Sequence, residues 1–154
     1  MSALDRIVSL ILRAAEIAFA VIVAAVTGYY LHNNSGSAWS LARFIYTEVV
    51  AGISILLGLL WLLPFASTFS HWPADIFISL LWWASFALLV NLVGTSCGAI
   101  FDWQNVSPTG DECGRVKADI AFAFLSAVVW LASALVGLFW TGRHERRSMR
   151  RSRV

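Results

Sequence analysis

Residues 118–140, ADIAFAFLSAVVWLASALVGLFW, decide the fold of this chain. The stretch has 23 residues and one charge, Asp119, near its start. An α-helix rises about 1.5 Å per residue, so about 20 apolar residues cross the roughly 30 Å of hydrocarbon in a bilayer. The stretch is therefore predicted to be a membrane-spanning helix.

A strongly basic segment, residues 141–154, follows this helix and reads TGRHERRSMRRSRV. Six of the eleven basic residues of the chain lie in it: Arg143, Arg146, Arg147, Arg150, Arg151 and Arg153. Because basic clusters next to a span remain in the cytosol, the segment is predicted to be a cytosolic tail.

The arginines of this tail are predicted to contact anionic lipid headgroups, at about 1 kcal/mol for each residue. Phosphatidylserine and phosphoinositides are the expected lipids, and the position beside a span favours lipid over nucleic acid as the partner. Phosphorylation of Ser148 or Ser152 would weaken the contact. The alternative is an anchor that only sets the topology.

Three further apolar blocks precede this helix, at about residues 7–31, 44–64 and 73–93. Of the 154 residues, 59% are hydrophobic and 13% are charged, whereas a soluble domain carries about 25% charged residues. We therefore predict an all-α membrane protein, in which residues 1–154 form one four-helix transmembrane bundle with both termini in the cytosol. A cleaved signal peptide is the alternative for the first block, but Glu16 and the length of the apolar run argue against it.

The loop at residues 94–117 contains both cysteines, Cys97 and Cys113. With cytosolic termini this loop lies on the oxidising side of the membrane, where a disulfide would contribute about 3 kcal/mol. Two free thiols are the alternative, and two cysteines alone are too few ligands for a metal. Two sequons that begin at Asn33 and Asn105 also fall outside and are candidate glycosylation sites.

Polar side chains inside the spans are functional candidates, because ionisable groups are costly there. Glu16 lies three residues after Arg13, so the two either pair, with Arg13 extending towards the headgroups, or form a proton or cation site. Glu48 either accepts a hydrogen bond from Asn91 or lines a substrate path. Asp75, in the first turn of the third span, is predicted to favour the helix N-terminus.

The sequence contains no motif for a nucleophile, a phosphate-binding loop or a zinc protease, so we predict no catalytic residue, cofactor or metal. Small residues at helical spacing, Ala20, Ala24 and Gly28, allow close helix packing within the bundle or between protomers. Arg43, Tyr46 and Val49 match a proposed sterol-contact pattern.

The whole pattern resembles a known family. The residues that carry it are Ser40-Leu-Ala-Arg-Phe-Ile-Tyr46, Leu60-Trp-Leu-Leu-Pro64, Trp82-Trp83 and Cys113-Gly-Arg-Val-Lys117-Ala118. With four spans and a cysteine-bearing second outer loop, the chain resembles the MARVEL domain in its fungal form. That family includes tight-junction, myelin and vesicle proteins and fungal plasma-membrane proteins associated with eisosomes and non-classical export. The arginine-rich tail is not a feature of the family.

The resemblance implies a non-catalytic role in membrane apposition, lipid-microdomain organisation or trafficking, at the plasma membrane or in the secretory pathway. The expected partners are membrane lipids, including sterol or sphingolipid, together with further copies of the chain or other membrane proteins. One alternative is a small transporter or channel that uses Glu16 and Glu48. Another is an accessory subunit of a larger membrane complex.

Overall fold

The computed structural model describes residues 3–63, 71–97, 104, 106 and 110–152, in which four α-helices and no strands occur. These are α1 (Ala3–Asn33), α2 (Ala38–Leu62), α3 (Trp72–Ser96) and α4 (Glu112–Arg151). Each helix is long and apolar enough to cross a membrane. The chain is an all-α, multi-pass membrane protein with the predicted four-helix bundle.

The helices are arranged around the bundle in chain order. α1 packs against α2 and α4, and α3 packs against α2 and α4. Short connections favour antiparallel neighbours, and only residues 34–37 separate α1 from α2. Consecutive helices then run in opposite directions, and α4 packs beside α1. The start of α1 therefore lies at the same end of the bundle as the end of α4.

Large side chains fill the interior of the bundle. Trp82 of α3 and Trp130 of α4 are fully buried, as is Phe44 of α2. The indole Nε1 of Trp82 donates a hydrogen bond to Ser54 Oγ (3.0 Å), which ties α3 to α2. The two adjacent tryptophans of α3 thus differ in environment, because Trp83 is only half-buried.

The connection between α3 and α4 is shorter than the hydropathy pattern predicts, because α4 begins at Glu112 rather than near residue 118. Asp111 caps this helix: its Oδ1 accepts a hydrogen bond from the backbone N–H of Gly114 (3.1 Å), which satisfies a donor that the first turn leaves unpaired. Cys113 in that first turn forms the predicted disulfide with Cys97, with 5.7 Å between the two Cα atoms. The bond joins the end of α3 to the start of α4.

The other helix ends differ from the predicted spans for one physical reason. Hydropathy marks the part of a helix that suits hydrocarbon, whereas backbone hydrogen bonding continues into polar sequence. For this reason α2 begins at Ala38, before the apolar block, and α4 continues through the tail to Arg151. The predicted span end at Pro64, the candidate glycosylation site Asn105 and the tail residue Arg153 lie outside the described residues.

Candidate functional site

The bundle contains a buried ionic cluster near the end where α1 begins. Arg13 of α1 donates two parallel hydrogen bonds to Asp75 of α3, from Nη1 to Oδ1 (3.1 Å) and from Nη2 to Oδ2 (2.9 Å). Its Nη1 also donates to Glu16 Oε2 (2.7 Å). Ser133 Oγ of α4 donates to Asp75 Oδ2 (3.3 Å). We call these four residues the Arg13 cluster.

Two tryptophans line the Arg13 cluster. The guanidinium carbon of Arg13 lies 4.6 Å from the ring centroid of Trp61 and 5.5 Å from that of Trp130. A guanidinium over an indole face is favourable, and more so away from water. Since Trp61 belongs to α2, side chains of all four helices meet at this one guanidinium.

The spacing-based prediction of an Arg13–Glu16 pair agrees with this geometry, but the predicted extension of Arg13 towards headgroups is wrong. The side chain of Arg13 is only 11% exposed because it turns inward to Asp75. Paired, charge-assisted hydrogen bonds to a carboxylate are among the strongest that a guanidinium makes. Asp75 therefore pairs with Arg13 in addition to favouring the start of α3. The sequence contained a signal for this pairing, because Asp75 is an acidic residue at the same depth in the membrane as Arg13.

The Arg13 cluster holds two carboxylates and one guanidinium. Glu16 is fully buried, and its Oε1 has no hydrogen-bond partner among the described residues. A buried carboxylate oxygen without a donor is unusual and calls for a chemical reason, such as a proton, an ion or a water molecule. The Arg13 cluster can therefore fasten α1 to α3, and one buried carboxylate oxygen of Glu16 lies within it without a direct hydrogen bond from the described residues.

A second polar cluster lies towards the other end of the bundle. Thr27 Oγ1 of α1 donates a hydrogen bond to Asp119 Oδ2 of α4 (2.7 Å), and Asp119 is only 1% exposed. The carboxylate of Glu48, on α2, lies beside Gly28 of α1. A Cβ added at Gly28 would be 3.9 Å from each of its two oxygens. Asp119 Oδ1 and Glu48 Oε2 have no hydrogen-bond partner among the described residues. We call Thr27, Glu48 and Asp119 the Asp119 cluster.

The predicted hydrogen bond between Glu48 and Asn91 is not formed. Asn91 is exposed on α3, whereas the Glu48 carboxylate lies beside Gly28 of α1. Depth in the membrane alone does not bring two residues into contact, and here the rotation of each helix about its axis separates them. The four predicted intramembrane polar residues thus lie in three places, and only Arg13 and Glu16 are in contact.

The candidate glycosylation site Asn33 and an arginine of α4, Arg115, lie at the end of the bundle that holds the disulfide. Asn33 is exposed in the last turn of α1, and its Nδ2 donates a hydrogen bond to the carbonyl oxygen of Tyr29 (2.9 Å). The guanidinium carbon of Arg115 lies 4.3 Å from the ring centroid of Tyr29. This cation–π contact ties the start of α4 to the end of α1.

The tail forms a charged surface on the last turns of α4. All five of its described arginines are exposed: Arg143, Arg146, Arg147, Arg150 and Arg151. At 100° of rotation per residue these five fall within an arc of about 140°, while Glu145, Ser148 and Ser152 point to the opposite side. We call the five residues the arginine face. In the sequence the serines alternate with the arginines, and only the helix separates them.

Residues 6–136 match the model of the MARVEL family, a membrane-associating domain. A comparison with characterised proteins finds no match. The family match takes in most of α1 and α4 and the whole of α2 and α3, and it stops before the arginine face. Because it covers most of the chain, this protein belongs to the MARVEL family of membrane-associating domains.

Proposed function

We propose that this protein organises the membrane around it, in lipid microdomains, in membrane apposition or in trafficking, without catalysis. The observation that carries the proposal is the contrast between the interior and the surface of the bundle. Trp82 and Trp130 fill the interior and are fully buried, whereas large apolar side chains such as Leu56 and Phe139 are 64% and 69% exposed. Such a molecule is suited to lateral contact with lipids and other membrane proteins.

The stripe of small residues on α1 supports packing inside the bundle. Ala20 is fully buried and Ala24 packs against the core, while Gly28 lies beside Glu48. Small residues allow this close approach between helix backbones. Contacts between copies of the chain would therefore use the exposed apolar faces rather than this stripe.

The orientation is part of the proposal: both termini lie in the cytosol and the Cys97–Cys113 disulfide lies outside. Arg6 of α1 and the arginine face belong to the same end of the bundle, and arginines next to spans favour the cytosolic side. The disulfide at the other end then lies in an oxidising space. The plasma membrane or the secretory pathway fits this arrangement.

Photobleaching in live cells tests the proposed function. The protein, tagged with a fluorescent protein, is compared with a Glu16→Gln, Glu48→Gln double variant. We expect slowly exchanging patches in both, since a membrane organiser acts through its packed spans and not through a free carboxylate. A uniform, freely mobile distribution of both proteins would contradict the proposal.

A specific observation favours transport as the second candidate. Three carboxyl groups within the helices, those of Glu16, Glu48 and Asp119, each have one buried oxygen without a hydrogen-bond partner among the described residues. However, Glu16 and the Gly28 position beside Glu48 are 12 residues apart on one helix, or about 18 Å. They therefore do not form one site. Proton or cation flux into proteoliposomes that the double variant abolishes would favour transport, and copurification with a fixed partner would favour an accessory subunit.

A further inference from the structure

α4 does not end where its apolar sequence ends. The apolar stretch stops at Trp140, and the helix continues to Arg151 without a break. Eleven residues of helix extend about 16 Å. The headgroup layer on each side of a bilayer is only about 5–8 Å deep. With Trp140 at the interface, Arg143 lies within the headgroup layer, and Arg150 and Arg151 stand beyond it.

The charge of this projecting helix is on one side. The five side chains of the arginine face lie along one strip of the helix surface. From Arg143 to Arg151 the strip extends about 12 Å along the helix axis. The one acidic residue of the tail, Glu145, is on the opposite side and does not interrupt the strip. The positive charges therefore lie at successive distances from the bilayer. In a basic segment that lies flat on the membrane, all charges would lie at the same distance.

The chemistry of the strip favours phosphate. Every basic side chain in it is arginine, and the tail contains no lysine. A guanidinium presents a planar fork that binds two phosphate oxygens at once, whereas an ammonium acts as a point charge. A basic segment that only sets topology, or that is only attracted to an anionic surface, would not need this two-oxygen contact.

We propose that the arginine face binds the headgroup of a polyphosphorylated inositol lipid. Phosphatidylserine carries its charges in one layer, whereas an inositol ring holds its outer phosphates away from the phosphodiester and further from the bilayer. Arg143 lies at the level of the phosphodiester, and Arg146, Arg147 and Arg150 reach the ring phosphates. The proposal rests on the cytosolic orientation in the proposed function, and it is independent of whether the protein forms patches.

Binding by the full-length protein in detergent tests this directly. Microscale thermophoresis compares dioctanoyl phosphatidylinositol 4,5-bisphosphate, dioctanoyl phosphatidylserine and free inositol 1,4,5-trisphosphate. The matched control exchanges residues within the tail: Arg147→Ser with Ser148→Arg, and Arg150→Ser with Ser152→Arg, which widens the arc of the five arginines from about 140° to about 240°. Composition and net charge stay the same, all exchanged positions are exposed, and two arginines move to the opposite side.

We expect the wild type to bind the phosphoinositide more tightly than phosphatidylserine or the free trisphosphate. The exchange variant should bind the phosphoinositide about 30-fold more weakly, as expected from the loss of two arginine–phosphate contacts. Its weak affinity for phosphatidylserine should not change.

Three results would overturn the proposal. Equal affinity of wild type and exchange variant would mean that only net charge matters. Equal affinity for the two lipids would remove the specificity, and tighter binding of the free trisphosphate would make the ligand a soluble phosphate. A failure here leaves the photobleaching result untouched, because patch formation is measured separately in cells.

Discussion

At the scale of the residue, Arg13 is the side chain on which the bundle converges. It bonds to carboxylates of two helices and contacts indole rings of the other two. A buried charge is tolerated only when it is paired and hydrogen-bonded. Arg13 meets that condition through its bonds to Glu16 and Asp75, and the bonds to Asp75 exclude rotations of α1 and α3 that would separate the two residues.

Replacement of Asp75 by asparagine should therefore destabilise the bundle. Asp75→Asn removes a charged partner of Arg13, and we expect a loss of about 1.5–3 kcal/mol in the free energy of unfolding, the usual range for hydrogen bonds to charged groups. Unfolding by SDS in mixed micelles, followed by circular dichroism, measures it. Glu145→Gln is the matched control, because Glu145 is exposed on the tail. Equal stability of both variants would show that Arg13 does not need Asp75.

Two buried threonines allow the Asp119 cluster to be tested in the same way. Thr27 donates its hydroxyl hydrogen bond to Asp119 on another helix, whereas Thr47 donates to the carbonyl oxygen of Arg43 on its own helix (2.9 Å). Thr27→Val should cost about 1–3 kcal/mol, because it leaves a buried acceptor without its donor.

Thr47→Val serves as the control and should be nearly neutral, since the backbone carbonyl keeps its helical partner. Both threonines are fully buried, so the change in volume and hydration is matched. The same unfolding measurement applies. A loss of stability as large for Thr47→Val as for Thr27→Val would show that the bond to Asp119 is not the cause.

At the scale of the element, two glycines of α2 show how closely the helices approach. A Cβ at Gly58 would lie 2.7 Å from Ile17 Cγ1 of α1, while a Cβ at Gly52 would have no neighbour within 4 Å. At Gly58, therefore, α2 packs closely on α1, whereas Gly52 has space beside it.

Alanine at these two positions should have opposite effects. Gly52→Ala should stabilise the protein by up to about 1 kcal/mol, because alanine is the better helix former. Gly58→Ala should destabilise it by about 1–3 kcal/mol, since the added methyl group must displace a β-branched side chain in a packed interface. Equal shifts in the unfolding midpoint would contradict the close contact between α1 and α2.

At the scale of the whole molecule, the orientation in the membrane can be measured with the two cysteines. After reduction of intact cells, we expect a membrane-impermeant maleimide to label Cys97 and Cys113 from outside. A Cys97→Ser, Cys113→Ser variant is the control for labelling of other proteins. For protein that fluorescence shows at the plasma membrane, labelling only after the cells are permeabilised would reverse the proposed orientation and would put the arginine face outside.

Several features of this protein were determined by its sequence alone. The number and order of the helices follow from hydropathy. Each segment that crosses hydrocarbon must satisfy its own backbone polar groups within itself, so each span can be recognised from its own residues. The Arg13–Glu16 pair follows from helical spacing, and the sequence offers Cys97 no disulfide partner other than Cys113, although it left open whether the bond forms. Each of these needs only neighbouring residues or a unique partner.

Only the tertiary structure decided which buried polar groups meet. Arg13 and Asp75 are 62 positions apart in the chain, and Thr27 and Asp119 are 92 positions apart. Their contact depends on how far each helix is rotated about its axis. Hydropathy does not specify that angle, because a span is apolar on the side that faces lipid and on the side that faces its neighbours. Packing against three other helices selects the angle, and with it the partners of Asp75, Asp119 and Glu48.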